Sequence, residues 1–137
     1  MASIALTPEQ TPYYNKLIRL VAEIEKVMAT TVNADDANEV NYTLNERVVL
    51  LSTCPEIMEL ASMIYNTCKG VLADEMMINQ KLLDSKQNIQ RMYIDGKLSK
   101  WEGMFIRAER ATKDLAKSID GLITMLSFLK TKNNQNV

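Results

Sequence analysis

Nonpolar side chains recur along this chain at alternating spacings of four and three, which lines them up as a single stripe on an α-helix. Tyr13, Leu17, Leu20, Ile24, Val27 and Thr31 form the first run, and Ala37, Val40, Leu44, Val48 and Leu51 the second. The third passes through Ile57, Ala61, Ile64, Cys68, Val71, Glu75, Ile78, Leu82, Ser85, Ile89 and Met92, with Glu75 and Ser85 as polar intrusions. The last is the cleanest: Trp101, Phe105, Ala108, Thr112, Leu115, Ile119, Leu122, Leu126 and Leu129. Only four glycines and three prolines punctuate 137 residues, too few for a many-stranded β protein. The pattern predicts an all-α fold, an elongated helical bundle with coiled-coil-like seams.

Local signals divide the runs into helices at about 8–31, 34–52, 55–94 and 99–131, one domain followed by a flexible polar tail over 132–137. Thr7-Pro8-Glu9-Gln10 reads as an N-cap, a first-position proline and a capping-box residue. Asn33 is the expected cap of the second helix, and Thr53 with Glu56 the capping box of the third, after a break or kink before Pro55. Asp95-Gly96 reads as a C-cap and turn, and Ser99-Lys100-Trp101-Glu102 as the box opening the final helix. A connection that short predicts that the last two helices pack as a long C-terminal antiparallel hairpin. The stripe exceeds what four uneven helices can hide from one another, so Leu115, Ile119, Leu122, Leu126 and Leu129 are candidate contacts of a homo-oligomer.

Chemistry enters mainly by exclusion. There is no histidine, which removes the commonest general base and metal ligand, and the two cysteines alone cannot build a four-ligand zinc site. The glycines stand singly, so no phosphate-binding loop is present, nor any Gly-x-Ser-x-Gly elbow. Asp35-Asp36 and Asp74-Glu75 read as helix-terminal and solvated charge. The expectation is a non-enzyme with no cofactor, no metal and no small-molecule substrate. The N-terminal residues have no basic leader, and no run of about 18 apolar residues occurs, so a cytoplasmic protein with reduced thiols and no membrane partner is expected.

Charge is unevenly distributed behind a formal net of −1. Residues 1–80 carry five basic and eleven acidic side chains, net −6, whereas residues 81–117 carry nine and five, net +4. Arg91, Tyr93, Lys97, Lys100 and Trp101 cluster around the expected turn, and Arg107, Arg110, Lys113 and Lys117 continue along the last helix. At 100° per residue Arg110, Lys113 and Lys117 share a sector opposite the apolar seam. Cations beside aromatics are the ingredients of sequence-tolerant single-stranded nucleic-acid binding. The alternative is that Trp101 and Phe105 are core and the cations solvate the helix, aided by Glu102, Glu109 and Asp114. Gly103 and Gly121 project onto nearly one outer sector, which either admits another backbone or is coincidence.

A small helical protein with a charged central region and the apolar amphipathic segment Ser118-Ile119-Asp120-Gly121-Leu122-Ile123-Thr124-Met125-Leu126 near its end resembles, in layout, the UvsY-type recombination mediators of T4-like phages. That resemblance implies a ring assembled through the C-terminal helix, presenting basic surface to single-stranded DNA. The chain departs from the family in having its acidic half first, so Arg91, Lys97, Lys100, Arg107 and Arg110 would carry the contact. The leading expectation is an oligomeric accessory protein that binds single-stranded nucleic acid or its processing machinery. The alternative is a protein-interaction module (adaptor, structural component or inhibitor) whose apolar excess a protein partner covers.

Overall fold

A computed structural model describes the backbone of residues 2–135 and the side chains of residues 2–133. The described residues fold as helices joined by short turns: α1 Thr11–Met28, α2 Ala37–Leu51, α3 Cys54–Ile78, the single turn α4 Gln80–Leu83, and α5 Gln87–Gln135. The all-α class read from the pattern is the one observed.

α1 begins at Thr11 rather than residue 8, after Gln10, and Thr7 is not its side-chain cap. Before α1 the Thr7 N–H donates to Gln10 Oε1 at 3.2 Å, and Thr7 O accepts from the Gln10 and Thr11 N–H groups. Asp36, rather than Asn33, caps α2, its Oδ1 accepting from the Asn38 and Glu39 N–H groups, while Asn33 Oδ1 accepts from Asp35 N–H one turn earlier. Thr53 does not cap α3. Its backbone is helical, and its hydroxyl donates back to Leu50 O at 2.7 Å. Around Pro55, α2 and α3 therefore meet at a bend of 40°. No single helix is long and apolar enough to cross a membrane.

The main correction concerns Asp95-Gly96 and Ser99–Glu102. There is no turn there, and both segments lie inside α5, which at 49 residues is about 73 Å long. No described glycine has the positive φ that a glycine C-cap needs. The apolar series Ile94, Leu98, Trp101, Met104 and Ala108 crosses Gly96 in phase, and these residues pack into the core. Helical glycine costs about 1 kcal/mol, less than the ~1.5–3 kcal/mol gained by burying one such large side chain. The reversal lies earlier, at residues 79–86. Asn79 leaves helical geometry and its Oδ1 accepts from Leu82 N–H, and the Gln90 side-chain amide donates to the carbonyls of Leu82, Leu83 and Ser85. Gln90 thus adds a donor to Leu82 O, which already accepts from Ser85 N–H, and reaches the carbonyls of Leu83 and Ser85 past the end of α4. The residues expected to form a tail, 132–135, continue α5, and 136 and 137 lie outside the described residues.

Across this reversal α3 and α5 run antiparallel. Met58 meets Thr112 and Tyr65 meets Phe105 at 5.9 Å between ring centroids, so a step of seven along α3 is a step of seven back along α5. Further along, Leu72 and Met76 flank a shallow hollow with Ile94 and Leu98. α1 lies over both helices, with Ile24, Leu17 and Val21 buried, and α2 lies along the last third of α5. The main core takes in α1, α3 and α5 from Leu98 to Ile119; a separate small cluster joins Val40 of α2 to Leu122 and Leu129.

Candidate nucleic-acid interface

The nine residues expected to bind nucleic acid all lie on α5, where they divide into three environments. Trp101 is buried at 4% exposure. Its Nε1 donates to Ile4 O at 2.7 Å, Tyr14 meets its ring edge-on at 5.2 Å, and Ile4 N–H donates to Lys97 O at 3.0 Å. Trp101 therefore clamps the N-terminal segment to α5 and presents no face on which a base could stack. Of the aromatics in the cluster, Tyr93 remains half-buried.

A second group is engaged within the chain. Lys97 lies over the Tyr93 ring at 5.7 Å, and Lys100 over the Trp101 ring at 4.8 Å and the Tyr14 ring at 5.6 Å. Arg107 forks onto Glu25 of α1, with Nε donating to Oε2 at 3.1 Å and NH2 to Oε1. Lys113 pairs with Glu109 one turn away on α5. The third group is exposed and has no ion-pair partner among the described residues: Arg91, Arg110 and Lys117. Arg110 and Lys117 flank Lys113 along a shallow groove also lined by Ile106 and Asp114.

The Arg107 hydrogen bond, chiefly, holds the Glu25 carboxyl below the usual carboxylate range, and reciprocally the Arg107 guanidinium is raised. Because the folded-state value of Glu25 is lowered, the bridge contributes stability above the carboxylate's unfolded pKa and loses it as pH falls through the folded value. Both side chains are nearly half exposed, so screening limits the pair to about 0.2–1 kcal/mol. Glu25→Gln is expected to lower stability by that amount at pH 7 and to match the parent once acid protonates Glu25, as read from urea midpoints across pH 7 to 3.

The five residues expected to join subunits are mostly spent inside the chain. Leu115, Ile119, Leu122 and Leu129 are 0–6% exposed, and Leu126 is half-buried against the small cluster. From Leu98 to Leu129 the seam is covered within the chain, by α1 and α3 over the main core and by α2 over the small cluster. Ile89 and Met92, which the apolar rhythm places on the seam, are instead 48% and 70% exposed, since the apolar phase that packs begins at Ile94. Gly103 and Gly121 meet nothing: a Cβ built at either would have open space. Gly103 leaves a cleft of about 230 Å³ between α1 and α5, floored by Ile24 and Met28 and rimmed by Glu25, Arg107 and Arg110.

Cys54 and Cys68 are free thiols whose pKa values burial pushes up. Among the described residues no group of three or more Cys, Asp or Glu side chains could hold a metal ion. Sequence reasoning missed Arg47 of α2, buried at 6% exposure with Nε lacking a partner. Its only visible signal was its place among Val40, Leu44 and Val48, where a cation breaks the apolar run. Comparison with family models, with curated proteins and with solved structures finds no match to the chain.

Proposed function

We propose that this protein is a non-enzymatic, self-associating accessory protein whose outward α5 face binds the phosphate backbone of single-stranded nucleic acid. The observation that carries the reading is the exposed Arg110–Lys113–Lys117 sector, in which, among the described residues, Arg110 and Lys117 form no ion pair although Glu109 and Asp114 line the same groove. With Trp101 withdrawn into the core, binding rests on cations more than on stacking, so it is weak per copy and gains from several copies on one strand. The resemblance in layout to UvsY-type mediators agrees with this role.

A labelled oligonucleotide titrated with the protein tests the proposal. Three to five phosphate contacts predict an affinity that falls about 20- to 100-fold between 50 and 200 mM salt. Arg110→Glu combined with Lys117→Glu, both at exposed positions, is expected to weaken binding at least about tenfold without changing the helical signal. Absence of binding at 50 mM salt, or indifference to the double variant, contradicts the proposal. A protein partner is the second reading, favoured by Met77, Ile78, Leu83, Ile89 and Met92, which are 45–86% exposed around the α3–α5 reversal. A partner retained after nuclease treatment and lost on Ile78→Asp would select it.

A further inference from the structure

We infer that α2 is a releasable clasp: it and the last third of α5 open together as one unit while the α1–α3–α5 core stays folded. The inference is independent of nucleic-acid binding and starts from what α2 buries. The buried residues of α3 are all apolar, namely Ile57, Leu60, Ala61, Ile64, Cys68 and Leu72. Those of α2 are Val40, Thr43 and Arg47, two of them polar. Meanwhile α2 turns Tyr42 and Val49 to solvent at 70% and 71% exposure, with Val48 at 46%. The helix thus docks with two polar residues among the three it buries.

Arg47 makes that docking costly. It lies between Leu50, packed against the main core, and Val40 in the small cluster, with Leu44 touching both clusters. No carboxylate pairs with it among the described residues, and its Nε is buried without an acceptor. Burying Nε without an acceptor opposes docking, and opening α2 returns that group to water. What holds α2 down on the far side of Arg47 is a cluster with only three buried members, Val40, Leu122 and Leu129. A 15-residue helix released from such a contact has little stability of its own.

The hinges are already present. Residues 29–36 between α1 and α2 are not helical, and the 40° bend at Ser52-Thr53 separates α2 from α3. Opening therefore breaks neither α1 nor α3. It uncovers Leu122, Leu126 and Leu129 of α5 together with Val40, joining them to the exposed Ile123 and Phe128. The small buried cluster and the two polar residues buried on α2 place this unit at the low-stability end of the fold.

Hydrogen exchange read by mass spectrometry on the intact chain tests the clasp. Amides of residues 37–51 and 119–133 are expected to exchange together, at least about 100-fold faster than those of 57–72 and 98–115. Arg47→Met, which replaces the buried cation with an apolar chain of similar length, is expected to slow exchange in both fast segments about tenfold or more and to leave 57–72 unchanged. Thr43→Val provides a second, milder variant with the same expected direction. Equal protection of α2 and α3 overturns the inference. So does unchanged or faster exchange of residues 37–51 in Arg47→Met and Thr43→Val, or independent exchange of the two segments.

Discussion

Trp101→Ala is expected to destabilise the protein by about 3–5 kcal/mol, the range for removing a large buried aromatic, and to release the N-terminal segment. The indole fills the junction of α1, α5 and residues 2–7, and its Nε1 is the donor to Ile4 O. Losing it removes that hydrogen bond and the edge contact with Tyr14, so protease cleavage before Thr7 should accelerate along with the drop in urea midpoint. Trp101→Phe separates the two contributions: it retains most of the buried area but forfeits the hydrogen bond, at about 1–2 kcal/mol. If Trp101 served instead as an exposed stacking platform, Trp101→Ala would leave the urea midpoint in place and weaken oligonucleotide binding alone. The structure predicts the reverse order of effects.

Leu115→Ala is the second large effect, at about 2–5 kcal/mol, because Leu115 is fully buried in the main core and the cavity it leaves is walled by several helices. The result distinguishes an internal seam from an intersubunit one. A side chain buried within the chain gives a loss of Tm that does not depend on protein concentration, whereas a seam between subunits ties Tm to concentration by mass action. The first pattern is expected from a dilution series over about two decades. Self-association, where it occurs, then uses surface outside this seam or surface uncovered when α2 opens.

These two residues show how the chain could and could not be read from its sequence. The four-three rhythm places Leu17, Ile24, Ile57, Ile64, Cys68, Leu115 and Ile119 on inner faces, and all are buried, whereas Tyr13, Val48, Leu51 and Ile78 of the same series are 38–86% exposed near helix ends or on α2. Periodicity survives because packing energy depends on which side of a helix is apolar. Punctuation transfers less well. Asp95-Gly96 carries the chemistry of a turn, but a local penalty of about 1 kcal/mol is outweighed by the apolar series that runs through it. The actual reversal depends on Asn79 capping Leu82 N–H three residues on and on the Gln90 amide reaching back five to eight residues to three carbonyls, local signals hidden by an apolar rhythm that runs on through Ile78 and Leu82.

The basic cluster divides for a related reason. Arg110, Lys113 and Lys117 are legible from helical geometry alone, as one exposed sector. The pairing of Arg107 with Glu25, 82 residues away, and the anchoring of Trp101 to Ile4, 97 residues away, need the tertiary fold. Arg47 is the opposite case, a polar residue at an apolar phase that tertiary packing buries despite its charge. Conflict between local chemistry and global burial marks where a fold is least stable, and here it marks the clasp.

The fold rests on α5 being one uninterrupted helix whose apolar stripe from Leu98 to Leu129 is covered within the chain. The distance between spin labels at Asn88→Cys and Ile106→Cys, both exposed positions, measures this directly in a background where Cys54 and Cys68 are alanine. Eighteen residues of continuous helix predict a backbone separation of about 27 Å along the axis. A chain that turned back at Asp95-Gly96 would bring the same positions to neighbouring helices about 10 Å apart, and that result would contradict the account.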